Sequence, residues 1–238
     1  MPPTLIVFLT DLKKLKEILV LSMNEFTKRL LTSIVSLIIT IFFLFSESFL
    51  FAFFLVLTFI FTSREWINLS SNHNKLILVS GITILILSFT AALFLQKKNL
   101  NYFILLILIS IFSDIGGYIF GKIFRGPKLT KISPNKTYSG MFGSYFTSFV
   151  VGILYIDYVS VNSIFIENKL SFLNICLLII LISSINQLGD LLISYFKRLR
   201  GFNDTGNMLP GHGGFLDRID GLIFSILAGW VLINLFIL

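Results

Sequence analysis

Apolar residues come in long blocks separated by short polar interruptions. The blocks delimit candidate spans at about Leu30–Phe45, Phe49–Thr62, Leu76–Leu95, Tyr102–Phe120, Met141–Tyr158, Phe172–Phe196 and Leu222–Leu238. Runs of this length cross a hydrocarbon core of about 30 Å as helices, and only helices satisfy every backbone polar group there when barrels are set aside. The pattern predicts an all-α, polytopic transmembrane helix bundle of about seven spans, with roughly six to nine compatible. Phe49–Thr62 is short for a full crossing, so the first two blocks could form a tilted hairpin.

Residues 1–28 read as an N-terminal amphipathic extension, and 29–238 as a single transmembrane domain. Met23 makes a natural start before the first strong block, so residues 1–22 are either an interfacial extension or a start-site artefact. The apolar run Leu5–Leu9 is too short for a signal core and precedes Lys13, Lys14 and Lys16, so no cleaved signal is expected.

Composition agrees with this class. The chain is 55% apolar and 13% charged, against roughly 25% charged for a soluble domain, and its mean hydropathy is +0.91. The net charge of +7 would suit nucleic acid, but no basic, aromatic-studded soluble surface is available, so no nucleic-acid partner is expected. The basic residues act first as topology signals. With the N-terminus in the cytoplasm, 16 of the 19 Lys and Arg fall on the inner side, leaving only Lys97, Lys98 and Lys169 outside. The polar segments with chemical potential then all face the cytoplasm, where nucleotides are found. Cys176, the single cysteine, lies in an apolar run and reads as a small buried hydrophobe.

Two inner regions depart from the apolar monotony. The first holds Asp114, followed by Gly116-Gly117, and a Lys-rich loop with Ser133, Lys136 and Gly140. An acid inside an apolar run costs about 2.5 to 3.5 kcal/mol on insertion scales, so Asp114 should face protein or a wet cavity. Alternatively it lies near the interface, and the loop serves as plain positive-inside anchoring. The second region runs Gly189-Asp190, Ser194, Lys197-Arg198, Asn203-Asp204 and then Pro210-Gly211-His212-Gly213-Gly214 to Asp217-Arg218 and Asp220. Asp217 and Asp220 are three apart, hence on one helix face, and Asp190 sits near the inner end of the preceding span. Such acids beside Lys and Arg suit Mg²⁺ and phosphate, and the glycines around His212 would leave backbone N–H groups open to a polyphosphate at the start of the last helix. Taken singly, each member has a plainer reading as interfacial charge, loop histidine or anchor.

The run from Ser194-x-Phe196-Lys197-Arg198 through Pro210-x-His212-Gly213-Gly214-x-x-Asp217-Arg218-x-Asp220 resembles the signature of phosphatidate cytidylyltransferases. Lys28-Arg29, Glu65-Trp66, Asp114 with Gly116-Gly117-Tyr118, and Ser133-Pro134-x-Lys136-Thr137 resemble weaker landmarks of that family. The resemblance implies an inner-membrane enzyme, a homodimer, that joins CTP to phosphatidic acid and releases pyrophosphate. It further implies Mg²⁺, with room for a second ion, on Asp190, Asp217 and Asp220, and Lys197, Arg198 and Arg218 neutralising the triphosphate. Asp114, Ser133, Lys136, Ser194, Asp204, His212, Gly213 and Gly214 would complete the pocket.

Three positions depart from the family's pattern: Asn203 stands where Lys is usual, Ser139 where Glu is usual and Ile193 where an acid is usual. None touches Asp190, Asp217 or Asp220. A CTP-dependent lipid kinase of the polyprenol or phytol type shares helices and nucleotide but would release CDP. A non-enzymatic reading, an ion-coupled transporter relaying through Asp114 and Asp190, would need repeats with matching broken helices, and none is visible.

Overall fold

The computed structural model describes residues 25–70, 75–130, 133, 136–162, 172–206, 208 and 213–236. Most of the N-terminal extension and His212 therefore lie outside the described residues. Among these residues the chain is all-helical: α1 (Glu25–Leu44), α2 (Ser48–Ser70), α3 (Lys75–Lys98), α4 (Leu100–Phe124), α5 (Tyr138–Asn162), α6 (Phe172–Leu199) and α7 (Leu216–Phe236). Five of them, α2 to α6, are long and apolar enough to cross a membrane, whereas the apolar part of α1, Arg29–Leu44, is shorter. Large apolar side chains such as Phe49, Leu76, Phe142 and Leu154 point outward, as a lipid-facing surface requires.

The second apolar block is not short. Its helix runs 23 residues because Ser63 to Ser70 continue it, and the polar Glu65 there is turned inward and only 5% exposed. That removes the reason for a tilted hairpin.

Without a hydrophobic drive between helices in lipid, close packing and polar contacts hold the bundle, and small residues permit both. The most extensive pairing is α4 with α5, followed by α6 with α7. A Cβ on Gly116 would meet Thr147 Oγ1 at 2.0 Å and the Gly143 carbonyl at 2.5 Å, so the two backbones nearly touch. Hydroxyls then bond across the seam: Ser144 donates to the Ser113 carbonyl (2.7 Å), Thr147 to that of Phe112 (2.6 Å) and Ser148 to that of Ile109 (3.2 Å). The apolar core beside it includes Leu106, Ile109, Ile179 and Ile182, all essentially inaccessible. A second cluster around Trp66, Leu69, Ile193, Leu216 and Ile223 lies where α2, α3, α6 and α7 meet.

Candidate functional site

The crossing of α6 and α7 is set by two glycines, each beside an acid. A Cβ on Gly189 would strike Phe224 at 2.4 Å, and one on Gly221 would strike Asn186 Oδ1 at 2.5 Å. Gly189 precedes Asp190 and Gly221 follows Asp220, so both acids flank the crossing that the glycines set. α4 adds Asp114. The charges of Asp114, Asp190 and Asp220 act on one another, with Lys136 near Asp114 and Lys197 near Asp220. Asp220 is buried, Asp190 half-buried and Asp114 exposed, so the cluster opens outward on its α4 side.

Each acid has a defined partner. Asp114 Oδ1 accepts from Asn186 Nδ2 at 2.7 Å, and Asn186 Oδ1 accepts from Ser225 Oγ at 3.3 Å, so one fully buried amide ties α4, α6 and α7 together. Asp190 accepts from Ser194 one turn on, at 3.3 Å, and forms an ion pair with Lys136. Asp220 Oδ1 accepts from the Gly221 N–H at 2.8 Å. Lys136 reaches Asp190 from the α4–α5 loop, whose ends pair as Leu129 N–H to the Lys136 carbonyl (2.7 Å) and Tyr138 N–H to that of Pro127 (3.2 Å). Thr137 caps α5 by accepting the Gly140 N–H at 3.1 Å, which fixes where Lys136 leaves the helix. Ser133 sits in that loop, its carbonyl accepting the Lys136 N–H.

Asp217 behaves differently from Asp220, although the two lie on one turn. Its Oδ1 takes Lys197 Nζ at 2.7 Å, and its Oδ2 accepts the N–H groups of Thr205 (2.8 Å) and Gly214 (3.0 Å) and lies 3.0 Å from Thr205 Oγ1. Both oxygens are thus spent on the loop and on one lysine. Of the expected triad of Asp190, Asp217 and Asp220, Asp217 is taken up by Lys197 and the loop, while Asp190 and Asp220 share an electrostatic neighbourhood with Asp114. Among the described residues no three acids already converge as a ligand set for one ion. Their chemistry still suits one: Asp114, Asp190 and Asp220 are hard oxygen donors, and among the described residues Lys136 pairs with Asp190 and Lys197 with Asp217.

At the start of α7 the N–H groups of Gly214, Phe215 and Leu216 are occupied, the first by Asp217, while Gly211 and His212 lie outside the described residues. Glu65 of α2 accepts Phe215 N–H at 2.9 Å on Oε1, and Leu216 N–H and Thr205 Oγ1, each at 2.8 Å, on Oε2. Gly206 and Gly214 lie so close that a Cβ on either would stand 2.7 Å from a Glu65 oxygen, and Gly213 has φ +86°. The glycines of this loop make room for carboxylates of the protein itself. Asp204 lies against Gly213, while Arg198 is turned toward the chain, donating to Asn203 Oδ1 (2.6 Å) and the Phe202 carbonyl (3.3 Å). Arg218, also in the first turn of α7, is exposed.

Asn186 is not among the sequence candidates, and Glu65 stands only within the Glu65-Trp66 landmark, with no site role. Glu65 is the one acid in α2, and the rule that singled out Asp114 applies to it once the helix is known to extend past Thr62. Asn186, a lone amide inside an apolar span, carries a weaker signal. Beside the polar cluster lies an apolar groove of about 220 Å³ lined by residues including Trp66, Ile84, Ile193, Phe196, Leu216 and Phe224. Phe196 and Leu216 are the immediate neighbours of Lys197 and Asp217.

Comparison with known proteins adds a family. The profile of the cytidylyltransferase family matches residues 74–236. A phosphatidate cytidylyltransferase of Staphylococcus epidermidis is 39% identical over 132 residues, covering 55% of this chain and 48% of that protein. One from Staphylococcus aureus is 38% identical over 135 residues with the same coverage. The phosphatidate cytidylyltransferase of Rickettsia conorii is 33% identical over 168 residues, 68% of this chain and 71% of that protein. The chain thus spans about half the length of the staphylococcal relatives.

Proposed function

The chain belongs to the cytidylyltransferase family, and on that premise we propose that it transfers the cytidylyl group of CTP to phosphatidic acid, giving CDP-diacylglycerol and pyrophosphate. The observation that carries this reading is the meeting of acids from three helices with two lysines, directly beside an apolar groove. An amphipathic phosphate ester needs both halves of that arrangement.

In the reaction, a phosphate oxygen of phosphatidic acid forms a bond to the α-phosphorus of CTP. The bond from that phosphorus to the oxygen bridging the β-phosphate breaks, and its electron pair leaves with pyrophosphate. The nucleophile is already ionised at neutral pH, so no strong general base is required and His212 receives no such role. What remains is alignment and charge stabilisation. Lys136 and Lys197 each hold a carboxylate and would exchange it for phosphate oxygens, while Arg198 and Arg218 border the same entrance. Ser194 keeps Asp190 in place, and Asn186 does so for Asp114.

Asp114, Asp190 and Asp220 would hold Mg²⁺ through their carboxylate oxygens, the hard donors it takes, and the ion would supply charge neutralisation for the triphosphate. We assign Asp217 to Lys197 and the loop instead, because both of its oxygens are engaged there. The distribution of basic residues supports a cytoplasmic site in a cell membrane, with the groove receiving the lipid from the bilayer.

The test is incubation of the purified protein with phosphatidic acid, CTP labelled at the α-phosphorus and Mg²⁺, followed by lipid extraction. Label in a CDP-lipid, with unlabelled pyrophosphate released, is the expected result. No label in the lipid fraction would contradict the reading.

A further inference from the structure

Glu65 is the most heavily bonded acid that the reaction scheme leaves unused. It is 5% exposed, stands 140 residues before Thr205 in sequence, and accepts three hydrogen bonds from the loop and first turn that lead into α7. The N-terminus of a helix concentrates unpaired N–H groups and positive potential, so it draws an anion. Here the anion is a side chain from α2, and the Phe215 and Leu216 N–H groups close onto it.

Thr205 links this contact to the charged cluster. Its hydroxyl lies 2.8 Å from Glu65 Oε2 and 3.0 Å from Asp217 Oδ2, and its own N–H donates to Asp217 Oδ2. Asp217 in turn holds Lys197 Nζ at 2.7 Å. A continuous chain of contacts therefore runs from Glu65 through Thr205 and Asp217 to the Lys197 ammonium group, whose charge acts on Asp220. The packing leaves it little freedom, since a Cβ on Gly214 would meet Thr205 Oγ1 at 2.0 Å.

We propose that Glu65 is a positioning residue: by filling the anion seat at the start of α7 it sets Thr205 and Asp217, and through them the place of the Lys197 ammonium group. The inference rests on the cytidylyl-transfer reading, because Lys197 is taken to meet phosphate. It also implies that the Gly214, Phe215 and Leu216 N–H groups do not receive the triphosphate, since Glu65 and Asp217 already occupy them.

A double-mutant cycle tests it. Glu65→Gln keeps the shape but turns an NH₂ group toward Leu216 N–H and Thr205. It should lower kcat on the order of 10-fold, and Lys197→Met on the order of 100-fold. If Glu65 acts through Lys197, the double variant falls no further than Lys197→Met alone. Losses that multiply, or a kcat for Glu65→Gln equal to that of the unaltered protein, would overturn the proposal. Should Glu65→Gln fail to fold, Thr205→Val enters the same cycle, with the same non-additivity expected and with Thr205→Ser recovering the kcat that Thr205→Val loses. Fully additive behaviour of Thr205→Val would equally overturn it. The unaltered protein, assayed alongside, separates the two claims: if it forms no CDP-lipid the reaction reading fails, whereas an active protein with an additive cycle defeats only the role of Glu65.

Discussion

Glycines crowd two parts of this molecule, the α4–α5 seam and the loop entering α7, and the sequence around both contains acids. At the seam, Gly116, Gly140 and Gly143 let two helices touch, so their absent side chains are replaced by backbone, threonine and Phe120. In the loop, Gly206 and Gly214 let the chain fold around the carboxylates of Glu65 and Asp217. Glycine in the first case serves the bundle and in the second serves the placement of charge. A glycine-and-acid pattern therefore does not identify a phosphate cradle until it is known what fills the space that the glycines leave.

That contrast can be broken most sharply at the acids. Asp220→Asn should reduce CDP-lipid formation on the order of 100-fold or more while the purified protein keeps its thermal unfolding midpoint, because only charge is removed from the crossing. A midpoint well below that of the parent would mean that Asp220 belongs to the fold instead. Gly214→Ala comes next. Its methyl group would displace Thr205 or Glu65, and kcat should fall on the order of 10-fold with most of the protein still folded, as measured by initial rates and by melting in detergent.

Gly116→Ala should show the reverse order of effects. The clash with Thr147 and the Gly143 carbonyl should destabilise the bundle by about 1–3 kcal/mol, while the rate per folded molecule stays within about 2-fold. A large rate loss at unchanged stability would join the seam to the site. The smallest effect is expected at Asn203→Lys, which frees Arg198 from its 2.6 Å bond and adds a cation near the entrance. The CTP concentration for half-maximal rate should fall by about 2- to 3-fold, the scale of an exposed charge contact. An unchanged or higher value would remove this account of position 203.

The helices were legible because apolar block length reports directly on what a bilayer permits, and the block edges at Leu30, Leu76 and Phe172 fall within a few residues of observed helix starts or inside the helix. The extent of α2 was not, since Arg64 and Glu65 look like an end until it is seen that Glu65 accepts hydrogen bonds from a loop 140 residues away. Spacing and neighbours single out Asp190 and Asp220 in the sequence, and Gly189 and Gly221 beside them mark the helix crossing that the structure shows. The partners of Asp217 were not legible, because i to i+3 spacing specifies a shared helix face, yet a side chain in the first turn also has backbone N–H groups before it to accept from. Long-range pairings such as Asp114 with Asn186 leave no periodic trace.

The central claim is that acids from α4, α6 and α7 form one divalent-cation site from which Asp217 is excluded. Binding of Mn²⁺ to the purified protein, followed by the loss of the free-ion electron paramagnetic resonance signal, measures this directly. Asp190→Asn and Asp220→Asn should each weaken binding at least about 10-fold, with Asp217→Asn retaining it. Parent-like binding in both of the first two variants, or loss confined to Asp217→Asn, would contradict the account.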